Sequence, residues 1–508
     1  MLFAAHRKKG MSSLVCERNG IHNPHVSFET LRSPLLFLQS TLSNFRAPDW
    51  LQQYQCWWEK EGQEISDHTD RAGTPWLRMF DLSGVRVDEI LYSAEYWRML
   101  KRGYQTGLLW RGAADKTLFP ACTGIYVISF YDPGLACPYT VSLGTIVPLS
   151  KYGDREPQSR FLPRLLQQDE AVWQGATWMT EIKGGSDLGA TVETIARSAG
   201  KHWLITGEKY FASNAGAELA VVAARPEGSA RNVRGLALYL VPKRRHDGQL
   251  NYTIRRLKNK IATRSVPTGE VEFRDSEAWL LGQAEDGIYL ILEVLNVSRV
   301  ANSMGSVALA QRAMADAASF AERRMVFGKP LIEQPLIRRQ FEDRFRELRA
   351  AAKLAWEAVR LLNEVWQERP PYSDRYHLFR LVAHLAKYWT AEIAVQTAKW
   401  AMEVHGGLGT LQEYRAERWL REAMILAIWE GPAHRQILDG LEAMERKQAH
   451  RLLFQSISAT ANPSALQHME ARVEQHLALP REQKEAGAEE LFSELAAFVA
   501  DALLETKY

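Results

Sequence analysis

In the first third of the chain, apolar residues recur every three to four positions in Leu31 to Leu42, Trp50 to Trp58 and Ile90 to Leu109. Breaks at Gly73-Thr-Pro75 and Asp132-Pro-Gly134 separate these runs. The spacing predicts a helical N-terminal domain over residues 1–172. From Trp173 the period changes. Short alternating or β-rich runs occupy His202 to Thr206, Leu219 to Ala224, Gly235 to Val241, Tyr252 to Leu257 and Glu270 to Phe273, with turns at Pro226-Glu-Gly228 and Asp247-Gly248. They predict an antiparallel β middle domain over 173–285. Helical periods return after Gly287, in Ile288 to Arg324, Leu336 to Trp366, Tyr376 to His405 and Arg418 to Lys447, and predict a helical bundle over 286–455. A linker at Ser456 to Asn462 introduces a helical tail within 456–508, so the fold class is α+β.

Composition narrows the picture only a little. With 46% hydrophobic and 24% charged residues and a formal net charge of +3, the chain reads as an ordinary folded protein without a whole-molecule field for nucleic acid. Cys16, Cys56, Cys122 and Cys137 are scattered, which predicts no metal site and fits a reducing compartment. Arg7, Lys8 and Lys9 precede no apolar stretch of secretory length, and no apolar run reaches the ~18 residues of a membrane span. Met11 is an alternative start, and the expected location is the cytoplasm.

Candidate chemistry begins at Met179-Thr-Glu-Ile-Lys-Gly-Gly-Ser-Asp187. Its glycine pair lets a turn approach phosphate closely, because glycine accepts positive φ and carries no Cβ. About twenty residues on, Gly207-Glu-Lys-Tyr-Phe-Ala-Ser-Asn214 offers the Phe211 ring as a stacking face and the Ser213 hydroxyl as an edge donor. Together the two stretches resemble the flavin-binding halves of the acyl-CoA dehydrogenase family, whose domain order is also helical, β, helical. The resemblance implies FAD, with Met179 and Thr180 at the ring, Gly185 and Ser186 toward the pyrophosphate, and Phe211 and Ser213 against the ring. Trp178 stands where the family usually has a small residue.

Four further stretches match family motifs. Arg323-Arg-Met-Val-Phe-Gly-Lys-Pro330 resembles the segment in which Arg324 and Phe327 would reach the FAD of a neighbouring subunit, with Pro335 where glutamine is common. Glu403-Val-His-Gly-Gly407 resembles the turn that admits the adenosine end of FAD, implicating Glu403, Gly406 and Gly407. Ile428-Trp-Glu-Gly431 resembles the catalytic turn, and makes Glu430 the expected base, followed by Pro432 in place of a hydroxyl residue. Ser298-Arg299 matches a pair near the substrate carbonyl and, with Ser186, is expected to contact substrate. Asn296 and Leu295 replace family residues that touch the CoA arm, which puts thioester recognition in question.

The stretch Trp76 to Ile90 with Trp97, and Thr180 to Asp187, Gln334-Pro-Leu336 and Trp429-Glu-Gly431, is most similar to the AidB-like branch. Members of that branch are FAD-containing homotetramers with weak dehydrogenase activity, and one binds duplex DNA through a basic C-terminal extension. Here residues 439–508 hold seven Lys or Arg against twelve acids, a net of −5, which disfavours DNA. Residues 225–264 are instead basic, with eleven cations against Glu227 and Asp247. That segment reads as a solvated face, or as a site for CoA phosphates, nucleic acid, an anionic membrane surface or acidic neighbours in a tetramer. The expected function is FAD-dependent dehydrogenation of an acyl-CoA or related thioester in fatty acid metabolism. Glu430 would remove the α-proton and the β-hydride would pass to flavin N5; the electron acceptor stays unassigned. The alternative is an AidB-like flavin-containing protein that binds nucleic acid or a partner, with little dehydrogenase activity.

Overall fold

The computed structural model describes residues 28–505. The basic leader Arg7 to Lys9, Met11, Cys16 and Lys507 lie outside the described residues. Helices Phe28–Arg32, Pro34–Thr41, Asp49–Trp57 and Gln63–Arg71 open the fold, and Ala94–Thr106, Trp110–Asp115, Phe119–Tyr131, Ala136–Tyr152 and Arg155–Leu165 complete the first helical region. Phe119–Tyr131 and Ala136–Tyr152 are apolar on every side and lie buried almost throughout, as such helices must.

The helical reading of this region misses one element. Trp76–Phe80 and Arg86–Leu91 form an antiparallel hairpin turned by Gly84 at φ 79°, so Ile90 belongs to a strand and the helix starts only at Ala94. Contacts remote in sequence hold the hairpin: buried Asp88 accepts from the Ile254 N–H (2.8 Å), and Arg86 donates to the Ile254 carbonyl (2.9 Å). Local periodicity cannot contain that pairing.

In the middle region, Leu219–Pro226 pairs with Gly175–Trp178, Ile195–Ala199 and Ala237–Pro242. His202–Ser213 pairs with Ile195–Ala199 and with Thr268–Leu281, and the last returns to Ala237–Pro242, so the strands close into a ring. Most pairings are antiparallel, as expected, but Gly175–Trp178 and Ile195–Ala199 run parallel to Leu219–Pro226. Alternation fixes which face is buried and leaves the neighbour's direction open. The strand expected at Glu270 to Phe273 is the early part of a much longer one, Thr268–Leu281.

The bundle is built on Gly287–Arg323, Pro335–Val365 and Asp374–His405. In place of the one helix expected over Arg418 to Lys447 there are two, Ala416–Ile428 and Ala433–Lys447, separated at Trp429-Glu430-Gly431-Pro432. Pro432 disfavours helix for the residue before it, and Glu430 (φ 58°) and Gly431 (φ 98°) turn the chain left-handed. The tail is likewise two helices, Pro463–Leu477 and Arg481–Leu504, and helix Ala449–Ile457 runs into the expected linker. Leu491, Phe492, Leu495, Ala496, Val499 and Leu503 are buried against the bundle. A Cβ on Gly440 would meet the Phe492 ring at 2.4 Å, so the acidic tail is a packing element.

A buried polar joint ties the three regions together. Arg418 meets Asp67 (3.1 Å) and Asp132 (3.5 Å), and Arg421 meets Asp70 (2.9 Å). The β region enters through the Ser265 hydroxyl, which donates to Asp132 (3.1 Å), and the Thr263 N–H, which donates to Glu422 (2.9 Å). Burial pushes the Glu422 carboxyl up to about 7, against the pull of Arg418.

Candidate active site

The two glycine- and aromatic-bearing stretches lie side by side. The Tyr210 N–H donates to the Thr180 carbonyl (2.9 Å), and the Trp178 indole N–H donates to the Ser213 carbonyl (2.9 Å). Trp178 is fully buried against Tyr252 and Phe273. Its indole fills the β core, so the unusual size at this position is absorbed there. The strongest link joins two residues of these stretches to which the motifs assign no role: Lys209 donates to Glu181 at 2.6 Å, and Thr194 Oγ1 (2.6 Å) and the Glu193 N–H (2.7 Å) also donate to this carboxylate. Burial alone would raise the Glu181 carboxyl, but Lys209 and these donors outweigh it and hold it below the usual range.

The glycine pair is required for two different reasons. Gly184 has φ 113°, and a Cβ on Gly185 would lie 2.5 Å from Thr180 Oγ1. Ser186 is exposed on the same loop. Phe211 is 51% exposed, and the Lys258 ammonium stands 4.6 Å from its ring centroid. Ser213 is half-buried, its hydroxyl 3.3 Å from that of Thr268. An exposed turn in which a Cβ on Gly185 would crowd Thr180, beside an exposed ring and a hydroxyl, fits a flat heteroaromatic ring carrying a phosphate tail.

Glu430 sits in the bend between Ala416–Ile428 and Ala433–Lys447, and the protein grips that bend by its backbone. The Glu430 carbonyl accepts from Arg299 Nε (3.1 Å) and Gln436 Nε2 (3.0 Å). The Gly431 carbonyl accepts from Gln436 (2.8 Å) and Lys387 (2.8 Å), and Lys387 also reaches the Ala427 carbonyl at 3.0 Å. With its main chain held this way, Glu430 lines a narrow cleft with Ile125, Cys137, Val141, Ala301 and Leu426. Burial raises this carboxyl to about 7, while Arg299 and Lys387 pull it down. Lys387 is itself lowered to about 7, first by burial and then by Arg299.

Ser298 and Arg299 play unequal parts. Ser298 is buried, lines the cleft and has a hydroxyl without a protein partner, so it is poised for a ligand. Arg299 is committed to the Glu430 carbonyl, Asn296 Oδ1 (2.9 Å) and Asp439 (3.4 Å), which makes it a support for the turn. Asn296 is buried in that same network, and the cleft lining does not include it. Lys387 and Asn302, whose side chain joins the Trp429 indole to the Leu426 carbonyl, carry no signal in the sequence because each comes from a helix remote from the motif it serves, and Gln436, in the first turn of the helix after the motif, reads there as an ordinary polar position.

The remaining expected cofactor residues gather elsewhere. Ser298 and Phe320 lie on one helix, and the stretch between them spans roughly 33 Å at about 1.5 Å per residue. At its far end Phe320 packs on His405 (4.5 Å), which brings the hairpin Met325–Val326/Lys329–Pro330 next to the turn after Asp374–His405. Arg324, Glu403, Gly406 and Gly407 are exposed there, and Phe327 is 97% exposed. Glu403 pairs with Lys399. Pro335 starts the following helix, and Gln334 donates to the Val326 carbonyl (2.9 Å) to brace the hairpin. Within one chain, then, Glu430 meets the long helix at Arg299, whereas Arg324, Phe327, Glu403, Gly406 and Gly407 lie at its C-terminal end.

Part of the basic segment is paired in three dimensions. Arg255 meets Glu208 (2.5 Å), Arg256 and Lys258 both meet Glu270 (2.8 Å each), and Arg225 is buried on backbone carbonyls.

A fold of helical region, β ring and bundle, with a glutamate on a bent helix junction beside an apolar cleft, defines a known class. The acyl-CoA dehydrogenase middle-domain model matches residues 176–276 and the C-terminal-domain model matches 285–445, and the chain belongs to that family of oxidoreductases. Residues 36–170 match the N-terminal domain model of the adaptive response protein AidB, which places the chain in the AidB-like branch. Putative acyl-CoA dehydrogenase AidB of Escherichia coli K12 is 29% identical over 392 residues, covering 73% of this chain and 70% of that one. Among solved structures, the apo-form of Bd2924 has a TM-score of 0.83 at 26% identity, covering 96% of this chain and 99% of that one. Caenorhabditis elegans ACDH-11 in complex with C11-CoA has a TM-score of 0.77 at 23% identity, covering 96% and 89%. Among the described residues, no helix is long and apolar enough to cross a membrane, and no group of three or more His, Cys, Asp or Glu is placed to hold a metal ion.

Proposed function

We propose that the protein is an FAD-dependent acyl-CoA dehydrogenase of fatty acid metabolism, acting in the cytoplasm as a homotetramer, with Glu430 as the base. The observation that carries this reading is Glu430 in the lining of a largely apolar cleft, its backbone fixed by Arg299, Gln436 and Lys387. The cleft lining suits an acyl chain: Ile125, Val141, Ala301 and Leu426 offer carbon, and Ser298 offers a donor without a competing protein partner. A carboxyl raised to about 7 by burial is a stronger base than an ordinary glutamate and is still half ionised near neutrality. Glu430 takes the α-proton of the thioester, and Lys387 and Arg299 hold the turn while the carboxylate is neutralised. Bound FAD, held by Met179, Thr180, Gly185, Ser186, Phe211 and Ser213, supplies the acceptor for the β-hydride. Arg324, Phe327, Glu403, Gly406 and Gly407 would reach the FAD of a neighbouring copy, which accounts for their separation from Glu430 and their exposure.

The alternative, a flavoprotein whose task is nucleic-acid binding, depends on charge. Glu208 and Glu270 engage three cations of the basic segment, and the acidic tail is packed into the bundle. The deciding experiment adds a panel of short to long acyl-CoAs to the purified holoprotein without oxygen. Bleaching of the flavin band by one chain class is the expected result; a loaded flavin that no acyl-CoA bleaches would sink the dehydrogenase reading.

A further inference from the structure

Lys260 is a lysine amine with no carboxylate in contact, next to the site, and nothing in the reaction above uses it. Its Nζ donates to the Thr263 carbonyl (2.7 Å) and hydroxyl (3.1 Å), the Val266 carbonyl (3.0 Å) and Thr268 Oγ1 (3.1 Å). Burial pulls the amine down to about 8, which leaves it charged at neutral pH. Its loop is tied to the catalytic helix by the Thr263 N–H on Glu422, and Val266 packs with the cleft residues Cys137 and Val141 and with Trp429. Thr268 is buried and faces Ser213 directly across the pair of strands, with the two hydroxyl oxygens 3.3 Å apart.

The donor inventory permits one proton order that reaches the site. An ammonium only donates, so Thr268 Oγ1 spends a lone pair on Lys260 and has one proton to place. The Ser213 hydroxyl is the other group within reach of Thr268 Oγ1, and if it accepts that proton its own O–H is turned away from Thr268. Ser213 is half-buried and two residues from Phe211 on the same strand, so a hydroxyl turned away from Thr268 is available to a ring stacked on Phe211. We propose that Lys260 is a positioning residue which, through Thr268, fixes the Ser213 hydroxyl as an outward donor to the acceptor edge of the bound flavin ring. The inference rests on the flavin reading above and adds to it a defined proton order.

The test is a double-mutant cycle on the purified full-length protein, with Lys260→Met, Ser213→Ala and the pair. The readouts are the FAD dissociation constant and the position of the visible flavin absorption maximum. A relay requires Lys260→Met to weaken FAD binding about tenfold and shift the maximum when Ser213 is present, as for loss of one hydrogen bond of ~1.4 kcal/mol. In the Ser213→Ala background it should do neither. An equal effect in both backgrounds makes Lys260 a mere loop pin and overturns the proposal, as does no effect in either. If Lys260→Met does not fold, Thr268→Val, which removes the middle hydroxyl and keeps the lysine, is put through the same cycle: an effect confined to the Ser213 background upholds the relay, and any other pattern overturns it. A wild-type chain that takes up no FAD removes the flavin reading and the relay together, whereas a wild-type chain reduced by acyl-CoA but indifferent to these changes removes the relay alone.

Discussion

The turn at Trp429 to Pro432 and the hairpin at Met325 to Pro330 each force a side chain into left-handed backbone, Glu430 at φ 58° and Phe327 at φ 49°. They differ in what surrounds the strain. Three side chains grip the first from beneath, and its carboxyl is raised to about 7 by burial. The second lifts an aromatic ring almost wholly into solvent at 97% exposure, with exposed Met325 and Leu336 close by in the chain. Strain held by a buried network serves chemistry inside the chain. Strain that presents bare apolar surface suits contact with a second body, which agrees with the proposal that this end completes the cofactor site of a neighbouring copy.

The largest expected effect breaks the first region at its chemical group. Glu430→Gln should keep FAD and lower kcat by roughly 10²–10⁴, and an unchanged turnover with a proven substrate would remove the glutamate from that role. The same variant carries a stability signature. Because the Glu430 carboxyl is raised from 4.5 to about 7, the folded state holds a proton that the unfolded chain has released between those values. Its contribution is therefore fully present below pH 4.5 and is lost as pH rises through 7. Glu430→Gln should be more stable than wild type by about 1–3 kcal/mol at pH 8 and show little difference at pH 5, measured by denaturant titration in one cofactor state. For activity the sign reverses: kcat/KM should rise with pH through about 7, with an apparent value shared between Glu430 and Lys387.

Next in size is the grip itself. Gln436→Leu strips two donors from the Glu430 and Gly431 carbonyls and should cost about 1–3 kcal/mol of stability. An unfolding midpoint equal to wild type would mean that Arg299 and Lys387 suffice. In the second region, Arg324→Ala should weaken FAD binding about tenfold, or ~1.4 kcal/mol, while leaving the far-UV spectrum unchanged; unaltered affinity would dissociate the exposed end from the cofactor. The smallest effect is expected for Phe327→Ala, whose cost to an isolated chain should stay within ~0.5 kcal/mol. Its consequence should appear in sedimentation velocity, as a shift toward smaller species.

The same two regions show what sequence can and cannot carry. Glu430 is legible because a short motif and a Gly-Pro break occur together in one stretch of chain, yet helical periodicity runs straight through that break and hides the bend. Lys387 and Gln436 are not legible: each looks like an ordinary polar position, Lys387 because only tertiary packing aims it at the turn, and Gln436 because its reach back to the turn depends on a helix start that periodicity hides. Arg324 and Phe327 are found by motif alone, while their surroundings depend on surfaces outside the chain. Counting charge along 225–264 fails for a related reason, because Glu208 and Glu270 come from other strands. The Trp76 to Leu91 hairpin is lost to helical spacing, since the Asp88 contact with Ile254 that secures it spans most of the β region in sequence.

The Arg418 joint has a practical corollary for anyone recombining this protein with its relatives. Asp67, Asp70 and Asp132 come from the first region, Ser265 and Thr263 from the second, and Arg418, Arg421 and Glu422 from the third. A chimera cut at either region boundary inherits only part of that set. Unless the missing members travel as a block, the hybrid must bury charges that have lost their partners, and it should fail in folding before its chemistry can be assayed.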